Sequence, residues 1–434
     1  MESLQVQPQA VSAALNRRNG AFLNRISQGL FLLFIGFVIY TLGRALWDNP
    51  PVFVQQMLNG LQLGFIYALI ALGYTMIYGI VKLINFAHGD VFMVGAFTSF
   101  YAISSLNLHR WPAQVWPGMP EGAVVVVGTV SVILIAMAVS ASLAVIVERF
   151  AYRPLRDKPR IAALITAIGV SFFLEYFGGL PFVYTNNYIT YPRPFEVAVF
   201  SAGTISPVLI GVAWGLFAIS LVATLVLNLM ARRGNVQAKE WLKHPLLQLG
   251  TMLGGFAAVV LTLAGVKITT AGAVWDHSVS NVMLVIMAGS ILLQVALQYV
   301  VNQTILGKAM RASAYDKPAA RLMGVNVNNV ITATFALGGG LAGAAGVLYA
   351  TAFKQVHHLM GIIPGLKAFV AAVVGGIGSI PGALIGSLIM GQAEVLAAGF
   401  ISTPMRDAIS FSLLIIVLLV WPQGIFGEPP GEKV

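Results

Sequence analysis

The sequence predicts an all-α polytopic membrane protein of about 10–12 transmembrane helices, and three observations carry that prediction. The 434 residues are 58% hydrophobic with a mean hydropathy of +0.85. Only 9% are charged, against about a quarter in a soluble globular chain, which is too few to cover a water-facing surface. The apolar residues fall in runs of about 20, the length that crosses a hydrocarbon core about 30 Å thick. The runs lie near 28–46, 57–81, 90–106, 123–147, 161–183, 203–230, 246–266, 281–303, 330–352, 366–397 (broken) and 407–421.

The first 27 residues are a polar tail, with Arg17, Arg18 and Arg25 just before the apolar stretch Leu30–Leu42. A signal peptide is the competing reading. Its n-region would be long, and no clear small-x-small cleavage site follows in Thr41–Trp47. The segment 28–46 is therefore expected to be a first span with the N-terminus inside. Crossing once per run then places three loops inside. These are 148–160 with Arg149, Arg153, Arg156, Lys158 and Arg160; 231–245 with Arg232, Arg233, Lys239 and Lys243; and 304–328 with Lys308, Arg311, Lys317 and Arg321. The outside loops are poor in base: 47–56 has none, 107–122 has Arg110 and 184–202 has Arg193. That asymmetry is what the positive-inside rule requires.

The net charge of +10 reflects these loops and not a nucleic-acid surface, since no soluble basic domain remains once the spans are removed. No cysteine occurs, so there is neither a disulfide nor a thiolate metal site, and no metal ligand set is expected.

Within 57–81, Gly60, Gly64, Tyr67, Ala71, Tyr74 and Tyr78 recur at steps of four and three. Such a face is most simply a helix–helix contact; the alternative is a stripe lining a path, with Tyr74 on it. The run ends in "INFAHGD", 84–90. One reading is a polar turn, with Asp90 capping the next helix. The other is a gate or partner contact built on Asn85 and His88, because polar groups at membrane depth are functional candidates. One His and one Asp are too few for a metal.

"GGGLAG" formally matches a dinucleotide fingerprint through Gly338, Gly340 and Gly343. It lacks the strand and βαβ unit that fingerprint needs. Gly339 and Gly343 instead give G-x-x-x-G, a helix-packing motif. No phosphate loop is present: near Gly307-Lys308, Asn302 replaces the first glycine and Ala309 the Ser/Thr. An ATP site would have to sit on another chain. In 366–397, Gly375, Gly376, Gly378, Pro381 and Gly382 must break a helix. They form either a discontinuous segment lining a path near Gly378 or a tight turn between two helices; the span count prefers the turn.

In "GKAMRASAYDKPAARLMGVN", Asp316 is a plausible N-cap, Pro318 suits a first turn and Gly324 a C-terminal cap. A helix at 317–323 is too short to stand alone in water, so it needs something to dock against.

These stretches resemble the permease subunit of bacterial branched-chain amino acid ABC transporters. The resemblance rests on "NGLQLGFIYALIALGYTMIYGIVKLINFAHGD", "ERFAYRPLR", "LITAIGVSFFLEY", "GKAMRASAYDKPAARLMGVN" and "GLKAFVAAVVGGIGSIPGALIG", which occur in the family's order. It implies a permease core in two parts, 55–200 and 281–427, the second with a cytoplasmic coupling loop at 304–328. The extra span 28–46 and a pair of inserted spans within 201–280 depart from the pattern. The resemblance further implies a multi-pass protein of the bacterial inner membrane, in contact with lipid. Its partners would be a second permease subunit (a heterodimer), two cytoplasmic ATPase subunits and a periplasmic substrate-binding protein. It implies no cofactor on this chain, ATP being used by the partner subunits. In the family a short cytoplasmic helix sits in a cleft of the ATPase; the matching positions carry Arg311, Asp316, Pro318, Ala319, Ala320 and Gly324. Docking is expected to bury the small face of Ala319 and Ala320. The alternatives are a urea or short-amide permease of the same superfamily, or an ion-driven transporter. The latter needs ionisable groups in mid-span, for which Glu175 and Glu394 are the acidic candidates. No catalytic set of side chains appears at useful spacing.

Overall fold

The computed structural model describes residues 40–156, 158–201, 207–232, 269–270, 273–274, 278–421 and 423–426, with isolated positions at 29, 33, 36, 37, 237, 251, 255, 258 and 262. The tail 1–27, part of the span expected at 28–46 and, isolated positions apart, the loop 231–245 beyond Arg232 and the span expected at 246–266 lie outside the described residues.

The described chain is helical throughout its apolar runs. Helix α1 (Pro50–Val81) starts on two prolines, whose missing N–H groups cost nothing in a first turn, and ends where Lys82 turns left-handed at φ 62°. Then come α2 (His88–Ser104), the short α3 (Trp111–Val115) and α4 (Glu121–Val147), which runs on through a π-turn at Glu148–Tyr152. Next are α5 (Arg160–Gly178), α6 (Pro207–Arg232) and α7 (Asn281–Gln303). Two short helices follow, α8 (Ile305–Tyr315) and α9 (Lys317–Leu322). The last four are α10 (Val327–Phe353), α11 (Ile362–Gly375), α12 (Ile380–Phe400) and α13 (Met405–Val420).

Six helical segments among the described residues are long and apolar enough to cross a membrane, and α2 with the bent stretch Leu108–Val115 makes a seventh. The runs at 366–376 and 407–421 are the shorter helices α11 and α13. The 14 residues of α11 reach about 21 Å at 1.5 Å per residue, less than the hydrocarbon thickness. Burial sorts the bundle: in the most apolar window 83% of α1 and 78% of α10 is covered, against 28% for the α4 segment and 22% for α5. Helices α1 and α10 thus form the centre, with α4 and α5 on the outer wall.

Small residues let the central backbones meet. A Cβ on Gly95 of α2 would lie 2.4 Å from Gly343 Cα of α10. Gly339 and Gly343 also seat Ala144 and Ser140 of α4, so "GGGLAG" packs helices. The glycine face of α1 is a contact face too: Gly60 and Gly64 meet Gln392 and Leu388 of α12. The break in 366–397 is a tight turn, Gly376–Ser379, made by positive φ at Gly376 (106°) and Gly378 (103°). Ser379 caps α12 by accepting from Gly382 N–H at 3.2 Å. At Gly378 a Cβ would meet open space, and its positive φ is what the turn requires.

Among the described residues three two-stranded ladders interrupt the all-α pattern: β1 (Ile189–Thr190) with β6 (Gln355–Val356), β2 (Val199–Ser201) with β5 (Ser278–Ser280), and β3 (Thr269–Thr270) with β4 (Ala273–Val274). Beside the first, buried Tyr191 donates from its hydroxyl to Ser99 Oγ (2.9 Å), and Arg193 donates to the carbonyl of Thr351 (2.9 Å), closing the C-terminal end of α10.

Candidate functional site

The predicted short helix forms, as α9. Asp316 accepts from Ala319 N–H at 3.0 Å, and Pro318 occupies the first turn. At the other end Gly324, with φ +84°, lets its own N–H reach Arg321 O and that of Val325 reach Ala320 O, both at 3.0 Å. That is the paired closure of a Schellman motif, which needs a left-handed residue here. One expectation is corrected. Ala320 does not wait for a partner: it is 4% exposed and packed on this chain's own core. Ala319 and Pro318 are exposed. The outward face is carried by Tyr315 (97% exposed), Leu322 (89%) and Met323 (84%), which sequence reasoning passed over. Arg311 donates to the carbonyl of Val301, tying α8 back to α7.

"INFAHGD" lies beside it and is a buried corner. Asn85, His88 and Asp90 are all buried. Asn85 Oδ1 accepts from the Tyr152 hydroxyl at 2.6 Å, binding the corner to "ERFAYRPLR". Asp90 does not cap α2, whose N-cap is Ala87 without a side-chain bond. It accepts from Ser171 Oγ of α5 at 2.5 Å, and Ser171 also reaches Glu175 at 3.3 Å. Tyr74 stands edge-on to the His88 ring, centroids 4.7 Å apart. A Cβ on Gly73 would fall 2.3 Å from His88 Nε2, so only glycine admits the ring. The structure therefore brings Tyr74, Asn85 and His88 together as a packed joint.

The π-turn supplies the third part. Buried Glu148 pairs with Arg156 and accepts from Thr332 Oγ1 at 2.8 Å. Arg156 also donates to Asn328 Oδ1 at 2.6 Å. Residues 328 and 332 begin α10, just past the short helix. The corner, the π-turn and the short helix thus share one end of the bundle, each bonded to the next or to the start of α10.

The sequence model described as the permease component of the branched-chain amino acid transport system matches residues 56–236 and 208–418. The chain belongs to that family. It is 36% identical over 383 residues to the high-affinity branched-chain amino acid transport system permease protein LivH of Escherichia coli strain K12, covering 88% of this chain and 98% of that protein. It is 33% identical over 382 residues to the corresponding permease BraD of Pseudomonas aeruginosa, with the same coverage. A more distant relative is the autoinducer 2 import system permease protein LsrC of Salmonella paratyphi B, 29% identical over 243 residues, 52% of this chain and 70% of that one. No solved structure matches significantly. Membership makes the protein a multi-pass membrane subunit of a transporter.

The permease holds a second polar cluster, built from α1, α11, α12 and α13. Glu394 of α12, fully buried, accepts from the Tyr67 hydroxyl at 2.8 Å and from Arg406 Nε at 2.5 Å. Lys367 of α11, also buried, lies 2.8 Å from Glu394 and 2.6 Å from Asp407. The signal was present in sequence: Lys367 is a lone charge inside an apolar run, and a charge there calls for a partner from elsewhere in the bundle.

Proposed function

We propose that this chain is the permease subunit of an ATP-driven, binding-protein-dependent importer of branched-chain, hydrophobic amino acids. It would sit in a bacterial inner membrane with its N-terminus in the cytoplasm. It would work with a second permease, two cytoplasmic ATPase subunits and a periplasmic binding protein, and bind no cofactor itself.

The observation that carries the reading is the face of α9. Tyr315, at the end of α8, and Leu322 and Met323 are exposed at the end where the basic loops gather, and burying each against a partner is worth about 2 kcal/mol. A capped six-residue helix presenting such a face fits a protein cleft. The substrate class follows from the relatives' names, LivH and BraD. Coupling to an ion gradient is disfavoured, because Glu394 is engaged by Lys367, Arg406 and Tyr67, and Glu175 shares Ser171 with Asp90.

The test is leucine uptake and ATPase co-purification in the Leu322→Asp/Met323→Asp variant. Loss of both with normal membrane insertion supports the proposal. Wild-type levels of both would sink the docking assignment, and uptake of urea but not leucine by the wild-type system would move the protein to the alternative branch. The purified chain alone is expected not to bind ATP.

A further inference from the structure

The corner after α1, the turn after α4 and the short helix α9 leave a recess of about 300 Å³ between them. Its rim carries Lys82, Arg156, Lys158, Lys317 and Arg321, from three separate stretches of chain. Among the described residues the wall offers one carboxylate, Glu148, and that group is engaged by Arg156 and Thr332. Lys317 Nζ donates to Val81 O at 3.4 Å. Its amine is held below the usual lysine range by burial and then by the facing charges of Arg156, Lys82 and Arg321. Like charges held this close repel unless an anion joins them.

The floor is apolar: Ala163, Val327, Ile331 and Phe335. Ala163 belongs to α5, whose Ile161 and Ile165 are 68% and 63% exposed on the outer wall. The recess therefore lies where a bare apolar face meets a ring of cations at the end of the spans. A phosphate in it would leave room for acyl chains along α5, whereas a free anion would have no use for the oily floor.

We propose that this recess binds the phosphate of an anionic phospholipid headgroup, held by Lys82, Lys158, Lys317 and Arg321. Charge-assisted bonds from lysine and arginine are the strong kind for phosphate. The site is independent of which solute the protein moves, and so stands or falls apart from the transport reading.

The test uses the full-length chain in nanodiscs of phosphatidylcholine with increasing phosphatidylglycerol, reading the thermal unfolding midpoint. A ligand that binds only the folded state raises that midpoint with its concentration. The midpoint should climb with phosphatidylglycerol. Lys82→Gln/Lys158→Gln, both at exposed positions, should weaken the apparent affinity about 25-fold, at about fivefold per cation near the surface. Arg149→Gln/Lys308→Gln removes the same charge from exposed positions outside the recess and should leave the response in place. Sodium phosphate added to phosphatidylcholine discs should not reproduce it. Equal midpoints in the two lipids, an equal loss in both variants, or a full response to phosphate alone would each overturn the lipid site.

Discussion

Replacing Glu394 with Gln keeps the side chain's size and removes one charge. The cluster then holds two cations, Lys367 and Arg406, against the single anion Asp407. Lys367 and Glu394 are 1% and 0% exposed, while Arg406 and Asp407 are 34% and 53% exposed. Water can therefore rescue Arg406 but not Lys367. Two unit charges 2.8 Å apart attract by about 6 kcal/mol at an effective dielectric of about 20. Desolvation offsets part of this, and removing one partner of a buried pair costs about 3–5 kcal/mol. That is the expected loss of stability for Glu394→Gln, measured by denaturant unfolding in mixed micelles. Lys367→Met should cost less, because Glu394 keeps Arg406 and Tyr67. The double variant leaves Arg406 with Asp407 and restores neutrality. Its cost should fall short of the sum by at least about 1 kcal/mol, as coupled neighbours do. A Glu394→Gln protein within about 1 kcal/mol of wild type, or strict additivity in the double variant, would show that the four groups do not act as one neutral unit.

Three further outcomes are expected. Gly95→Leu should prevent stable accumulation of the protein, because even a Cβ there overlaps Gly343 backbone at 2.4 Å; a full yield of folded protein on size-exclusion chromatography would contradict the packing. Gly324→Val should cost the short helix about 1–2 kcal/mol, since a branched residue is forced into left-handed backbone, and lower ATPase co-purification without loss of insertion; an unchanged complex would mean that the closure is dispensable. Cysteines placed at Asn187 and Asn235, in a chain with none of its own, should label from opposite sides of the membrane, and labelling from one side would refute the orientation.

Much of the bundle was legible because the membrane imposes a single length scale on apolar runs. The end of α1 and both ends of α10 and α12 fall within about three residues of the expected runs, whereas α1 begins at Pro50, ahead of the run expected from 57. The glycine faces were readable as contacts because only small residues let helices touch without a hydrophobic driving force. The capped short helix was legible from Asp316, Pro318 and Gly324, whose preferences are local. Its orientation was not: whether Ala320 or Leu322 faces out depends on which side the core lies. The same limit applied to Asp90, whose partner Ser171 is 81 residues away, and to Lys367, whose anions come from two other helices. Local preference offers Asp90 a capping role; the fold gives it a tertiary one.

The link between α9 and α10 has a mechanical consequence. Only residues 323–326 separate Leu322 from Val327. The near end is closed on Ala320 and Arg321, and the far end is fixed by Asn326, which accepts from Asn329 N–H at 3.2 Å. Such a joint has no slack. A load on the exposed tip of the short helix is carried into α10, and α10 touches α1, α2 and α4 along its length. Stiffness continues inward, since backbone rests on backbone where Gly343 meets Gly95. A displacement at the rim thus arrives at the centre as the tilt of a whole rod, undamped by any flexible hinge on the way.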